Sequence, residues 1–319
     1  MQGGFEMGTP ISEKNMYENP ASRVMEPGPL SEAKPKGDWR DYVSVTKVGI
    51  VVSNLMTLFA GIWLAADGPL PVDTVLMAML GSALVIMSGT CLNNYIDRDL
   101  DQLMARTKTR ALPEGRLNPQ NVMIMGFVFG IAGSVILLLI NTLTAVLGLV
   151  GLFFYVVVYT MWTKRTTTLN TLVGAVSGAM PPMMGYAAIS GTVDMTAWVL
   201  FSILFIWQCP HFLALAMRRA EDYRAAGFQM LPSVRGFAVT KRHILRYTAA
   251  LVLVSIMLYA LSEVGMVYLI GMAVLGIGYV ILNMTGFFAK DDIKFARNSF
   301  VYSLVYVMMF TVLILIDRV

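Results

Sequence analysis

Asn93, Asp97 and Asp101 follow one another at four-residue spacing in the stretch LNNYIDRDLDQLMARTKTR, at the end of a long uncharged run. At about 100° per residue they form one stripe on a helix, each about 6 Å above the last. Two carboxylates and an amide crowded at a membrane edge repel one another and lose solvation. A divalent cation relieves both, and magnesium takes carboxylate oxygens together with water and phosphate oxygens. Five residues beyond Asp101 begins RTKTR, whose Arg106, Lys108 and Arg110 can hold terminal phosphate oxygens and stabilise a departing anion. An acidic helix end beside a basic loop is what a magnesium–pyrophosphate site requires. Asp99 lies about 200° round the helix from Asp97 and faces solvent or Arg98. The plainer alternative is a solvated juxtamembrane segment with structural ion pairs; the scarcity of acids before the loop disfavours it.

The elements that must position this cluster are membrane helices. The chain of 319 residues is 56% hydrophobic and 14% charged. Its uncharged runs have bilayer-spanning lengths: residues 48–66, 74–96, 117–163 (two spans turning near Asn141), 166–193, 195–217, 247–262, 264–289 and 298–316. That predicts nine spans and termini on opposite sides. All but Arg318 of the 24 Lys and Arg precede span 1 or fall between spans 2–3, 4–5, 6–7 and 8–9. The positive-inside rule then puts the N-terminus and those loops in the cytoplasm and the C-terminus outside. The net charge of +4 reports this topology, so it gives nucleic-acid binding no support.

Residues 1–42 hold five prolines, mixed charges and little apolar periodicity, which predicts a disordered cytoplasmic tail ahead of a membrane domain at 43–319. No apolar core of a signal peptide is present, and the acids Glu6, Glu13, Glu18, Glu26 and Glu32 argue against a transit peptide. A bacterial inner membrane fits best. Cys91 and Cys209, both near cytoplasmic span ends, predict no structural disulfide.

Spans 2 and 6 echo one another: each ends in polar residues and runs into a long charged loop. Two such loops closing over one cavity would bring both polar clusters into one site. Spans 3, 5, 7 and 8 are rich in Gly, Ala and Ser, which permits close helix packing. Pro181-Pro182 is expected to break or kink span 5.

The pattern N-x-x-x-D-x-x-x-D followed by R-T-K-x-R resembles the first aspartate-rich motif of the UbiA superfamily of intramembrane prenyltransferases. Within it the chain is similar to the haem-farnesylating branch, the protohaem IX farnesyltransferases. KVGIVVSNLMTLFAGIWLAA, YTMWTKRTTTLNTLVGAVSGAMPPMMGYAA, WQCPHFLALAMRRAEDYRAAGFQMLP and ARNSFVYSLVYVMMF carry the narrower match, which spans about residues 42–316. The resemblance implies an all-α membrane fold of nine helices around a central cavity, with Mg2+ as cofactor. It implies farnesyl diphosphate and haem b as substrates, the lipid bilayer as surroundings, and a haem A synthase as the candidate downstream partner. Many superfamily members carry a second D-x-x-x-D. Here Arg218 stands where its first acid would be, with Asp222 aligned to the second, and Asn94 replaces a frequent aspartate. Either Asp222 binds a second Mg2+, or Arg218 contacts the pyrophosphate directly.

His211, inside span 6 beside Pro210, reads either as a hydrogen-bonded helix–helix histidine or as a porphyrin contact. Lys164, Arg165 and Lys47 read either as pyrophosphate contacts or as headgroup anchors. Asn54, Tyr186, Trp207 and Gln208 are candidates for the cavity wall, and His243, in the basic run KRH, reads as solvated. A quinone-type prenyltransferase would share the first motif but is expected to keep the second. A cation transporter would place its acids near the bilayer midplane and leave RTKTR without a role.

Overall fold

The computed structural model describes residues 37–319. Among these residues nine helices are long and apolar enough to cross a membrane. A short helix α1 (Trp39–Val45) precedes them, its N-terminus capped by the Asp38 carboxylate, which accepts from the Arg40 and Asp41 amides. The spans are α2 (Val48–Ala65), α3 (Val72–Asp101), α4 (Pro119–Ile140), α5 (Thr142–Thr166), α6 (Asn170–Ser190), α7 (Met195–Arg218), α9 (Leu231–Ala260), α10 (Met266–Phe288) and α11 (Asp292–Ile316). A one-turn helix α8 (Ala220–Ala225) sits between α7 and α9. Of the expected tail, residues 1–36 lie outside the described residues, and residues 39–42 already belong to α1.

Two span starts differ most from expectation. Span 7 is expected at 247–262, yet helix begins at Leu231 and, past a break at Gly236 (φ 77°, ψ 172°), continues into the span; span 9 starts at Asp292 rather than 298. Charge limits where a helix can enter hydrocarbon, and it does not stop a helix. Pro232 sits in the first turn of α9, where its missing N–H costs nothing. Asp291 caps α11 by accepting from the Ile293 and Lys294 amides.

The helices close a ring: α3 packs on α4, α4 on α5, α5 on α6, α6 on α7, α7 on α9 and α11, α9 on α10, α10 on α11, and α2 on α11, α3 and α6. Each presents an apolar face outward. On α4, Ile124, Phe127, Ile131, Val135, Leu138 and Leu139 are exposed at helical spacing. Such a stripe is tolerable facing lipid and costly facing water.

The tightest seam joins α2 to α6. A Cβ on Gly61 would stand 2.0 Å from the Pro182 carbonyl oxygen, and one on Gly185 would stand 2.0 Å from that of Leu58. Two backbones therefore touch through two hydrogens, the close approach that small residues allow in lipid. Of the expected break or kink, the break does not occur: α6 is one helix through Pro181 and Pro182. Both prolines are buried within the bundle, where neighbouring helices can absorb the lost hydrogen bonds.

Gly61→Ala or Gly185→Ala is expected to cost about 2 kcal/mol through forced separation of the two helices. Thermal unfolding of the detergent-purified variants measures this, and a midpoint equal to that of the unaltered chain would rule out the seam.

Candidate active site

The polar residues of α3 are buried against their own solvation. Asp97 and Asp101 are 2% and 3% exposed, and Asn93 is 7%. Isolated carboxylates cannot remain ionised there, so each is expected to have a cation. The Lys164 ammonium donates to Asp97 Oδ2 at 2.6 Å, and Arg165 reaches Asp97 Oδ1 at 3.4 Å. Arg110 donates to Asp101 Oδ2 at 3.0 Å. Lys47 donates to Asn93 Oδ1 at 2.8 Å, while the Asn93 amide donates to Asp97 Oδ2 (2.9 Å) and to Thr160 Oγ1 (3.1 Å).

Three backbone features deliver these cations. Lys47 stands in the left-handed region (φ 52°, ψ 56°), which costs a non-glycine residue on the order of 1 kcal/mol. There it aims its side chain under α3. Its exposed surface faces the cavity rather than bulk water, and this desolvation, with Arg110 and Lys164 close by, brings its ammonium down to about 7. Lys164 follows a stretch of α5, Phe154–Thr163, in which the hydrogen bonding widens to π-helical. The second loop then grips Lys164: its carbonyl accepts from the Gln229 amide (3.2 Å), and its ammonium lies 4.0 Å from the centre of the Phe228 ring. Arg110 is carried by the loop after α3, which folds back as Thr107, fully buried, donates to the Asp101 carbonyl.

Below this polar head lies a cavity of about 500 Å³, lined by α2, α3, α5, α6, α7 and α11. Lys47, Asn93, Asp97, Asp101, Arg106, Arg110 and Lys164 surround its mouth, and Met104, Tyr223 and Met230 from the two loops roof it. Met104 packs with Ala226, Phe228 and Met230, so the two loops do meet over one space. Burial raises the Tyr223 phenol, and Arg106, Arg219 and Arg110 pull it back down. Deeper, the wall is glycine, methionine and small polar residues, among them Gly148, Gly151, Met180, Met184 and Ser82.

His211 opens onto the same cavity. Its ring stacks on Trp207 (4.8 Å) and Phe300 (4.6 Å), and its Nδ1 is 2.7 Å from Ser303 Oγ. Trp207 is fixed by donating to the Ser303 carbonyl, and Gln208 by donating to the Ala175 and Leu204 carbonyls. Asn54, Trp207 and Gln208 line the wall as expected.

Several expected residues lie elsewhere. Lys108 points out to solvent, because residues 102–117 form successive turns and not a helix, with Thr107 and not Lys108 turned inward. Tyr186 sits toward the far end of α6, donating to Asp194 Oδ2. Arg218 lies over the Phe300 ring (5.3 Å) and, like Asp222, is absent from the cavity wall. The four-residue relation of Arg218 to Asp222 is broken at Arg219 (φ −124°, ψ 20°), where α7 ends and α8 begins. Among the described residues no group of three His, Cys, Asp or Glu could hold a metal ion by itself. Asn94 donates to the Val45 carbonyl and ties α3 to α1. Tyr155, Tyr159, Thr160, Tyr223, Phe228, Phe300 and Ser303 complete the site; the sequence singles out none of them by residue type, although all but Tyr155 fall inside the stretches that carry the family resemblance.

Buried paired carboxylates beside three cations, at the mouth of an apolar cavity inside a nine-helix membrane ring, define an intramembrane site for an anionic head and an apolar tail. Residues 54–311 match the model of the UbiA prenyltransferase family, and the chain belongs to that family. It is 52% identical over 302 residues to the protoheme IX farnesyltransferase of Alkalihalophilus pseudofirmus, covering 92% of this chain and 96% of that relative. It is 46% identical over 281 residues to protoheme IX farnesyltransferase 2 of Bacillus subtilis, covering 86% and 90%. The fold is similar to that of a solved digeranylgeranylglyceryl phosphate synthase (TM-score 0.73, 16% identity, 86% of this chain and 98% of that one). It is also similar to a UbiA homolog from Archaeoglobus fulgidus bound to GPP and Mg2+ (TM-score 0.68, 13% identity, 86% and 99%).

Lys164→Met leaves Asp97 with the weaker Arg165 contact and is expected to cost about 3 kcal/mol, while Lys164→Met combined with Asp97→Asn regains most of it. Thermal unfolding of the single and double variants tests the pair; additive losses would remove the coupling.

Proposed function

We propose that this chain is a haem O synthase, transferring the farnesyl group of farnesyl diphosphate to a vinyl group of protohaem IX. The observation that carries the chemistry is the buried Asp97–Asp101 pair facing Lys47, Lys164, Arg106 and Arg110 at the head of one apolar cavity. The acceptor rests on the relatives, which are named for protohaem IX at about half identity over most of the chain.

The donor set fits magnesium. Asp97 and Asp101 present hard oxygens one helical turn apart, with too few protein ligands to enclose the ion, as suits a metal shared with phosphates. Asn93, Asp97 and Asp101 would hold it, and when bound it neutralises charge on the leaving diphosphate. Lys47, Lys164, Arg106 and Arg110 bind the diphosphate oxygens and stabilise the negative charge that grows as the C1–O bond breaks. The apolar wall holds the farnesyl chain and excludes water, so the allylic cation survives until the electron-rich vinyl group attacks it. Once the C–C bond has formed, water adds to the resulting porphyrin-side cation and gives up a proton to solvent or the departing diphosphate, leaving a hydroxyethylfarnesyl group. Tyr223, kept protonated by burial, roofs the diphosphate as a hydrogen-bond donor. His211, flanked by Trp207 and Phe300, offers the porphyrin a flat aromatic wall and an imidazole edge. No side chain acts as a covalent nucleophile.

The basic end of the bundle is assigned to the cytoplasm and the C-terminus to the outside of a bacterial inner membrane, on the distribution of Lys and Arg. A soluble diphosphate then reaches the mouth directly. A haem A synthase is the proposed downstream recipient of the product.

Incubating purified protein with haem b, labelled farnesyl diphosphate and Mg2+, followed by mass analysis of the haem, is expected to yield the hydroxyethylfarnesyl product; unmodified haem would sink the proposal. Asp97→Ala and Asp101→Ala are each expected to abolish it with membrane insertion retained. Arg106→Ala is expected to weaken farnesyl diphosphate binding about tenfold, the loss of one charged hydrogen bond, and the outward Lys108→Ala to leave it unchanged. Calorimetric titration distinguishes the two. His211→Ala is expected to alter the optical spectrum of bound haem, and an unaltered spectrum would exclude the imidazole contact.

A further inference from the structure

A second cavity of about 290 Å³ lies outside the ring's interior, between the basic ends of α6, α7 and α9. α9 forms its back wall, with Val239, His243 and Tyr247 at four-residue spacing after the break at Gly236 and Leu231 and Arg235 before it. Leu172, Cys209 and Leu213 line its apolar side, and Thr168 and Thr171 add two hydroxyls. Arg235 and His243 face it without an ion pair or a side-chain hydrogen bond to any described residue. Arg242 and Arg246, exposed on the same helix, are likewise unpaired among the described residues, whereas Lys241 is matched by Asp292. The local field is positive and uncompensated.

The polarity of this cavity runs along the helix. Val239, His243 and Tyr247 follow one another over about 12 Å of α9, and Arg235 lies beyond them, on the far side of a break at Gly236 (φ 77°, ψ 172°). Tyr247 opens the uncharged run that enters hydrocarbon, so the apolar end of the cavity is level with the edge of the bilayer core and the basic end lies in the headgroup layer. His243, which the sequence suggests is solvated, is half-buried at the junction. A cavity with cations at headgroup height and leucines at acyl height matches an amphiphile with an anionic head. Its small volume accommodates a phosphodiester and the start of an acyl chain and leaves no room for a planar macrocycle.

We propose that this cavity is a binding site for an acidic phospholipid of the leaflet at the basic end, with its phosphodiester between Arg235 and His243 and an acyl chain along Leu172, Leu213 and Tyr247. Basic pockets between membrane helices recognise anionic headgroups in this way. Thr171 lines both cavities, so a lipid seated here braces the helix that walls the reaction chamber. The site is independent of the acceptor assigned above.

Native mass spectrometry of the full chain, delipidated in detergent and mixed with equal phosphatidylglycerol and phosphatidylcholine, reads the preference directly. Phosphatidylglycerol is expected to be retained over phosphatidylcholine, and Arg235→Gln with His243→Gln to lower that retention about fivefold or more, the loss expected for basic groups at a charged surface. Arg224→Gln, which removes an exposed cation paired to Glu221 away from the cavity, is expected to change nothing. Leu172→Trp keeps both cations but fills the acyl end, and is expected to reduce retention of both lipids while leaving the fold intact. Equal retention of the two lipids, or an unchanged preference in the double variant, overturns the proposal. Inorganic phosphate alone raising the unfolding midpoint as much as phosphatidylglycerol overturns the lipid assignment in favour of a free anion.

Discussion

Two carboxylates buried at the end of a membrane helix cannot be left alone, and much of this structure answers that constraint. An unpaired carboxylate at the depth of Asp97 would take up a proton or unfold its surroundings. Lys164, Arg165 and Arg110 prevent this: the first two come from the end of a widened helix, the third from a loop folded back over a buried threonine. The left-handed backbone at Lys47 adds a third device. Cations that hold the acids in the protein alone are also those that an incoming diphosphate and its metal would engage. On the function proposed here, the same charges serve stability before the substrate arrives and chemistry afterwards.

The two loops are coupled through that arrangement. Phe228 and Gln229 grip Lys164, Met104 packs on Met230, and Arg116 at the end of the first loop makes a two-pronged pair with Asp41 of α1. The roof of the cavity is therefore a continuous surface from α1 through both loops. The glycine seam of α2 and α6 holds the opposite wall at fixed separation, so the chamber has rigid sides below a roof made of turns.

Much of this was legible in the sequence because it follows from periodicity and charge. The Asn93–Asp97–Asp101 stripe needs only a helix, and the nine spans need only uncharged length. Where expectation failed, backbone irregularity intervened. The spacing of Arg218 and Asp222 presumes one continuous helix, and the chain breaks at Arg219. Lys108 alternates with Arg106 and Arg110 in RTKTR, but in turns such neighbours need not share a side. Tyr186 has the right chemistry for a cavity wall and stands too far along α6, where it serves Asp194. The sequence leaves Lys164 between two roles because nothing in FYVVVYTMWT announces a π-helical stretch.

That stretch sets where Lys164 falls by counting residues. A widened turn takes in more residues than an α-turn, so the winding of this stretch fixes the register of every residue after it. Were the segment to relax to α-helical winding, every side chain after it would rotate about the axis by roughly a residue's 100° step per residue of difference, with no change in composition. Lys164 would then leave Asp97 although no residue in the site had been altered. A single-residue insertion or deletion here, usually thought of as a defect of alignment, would be a change of active-site charge.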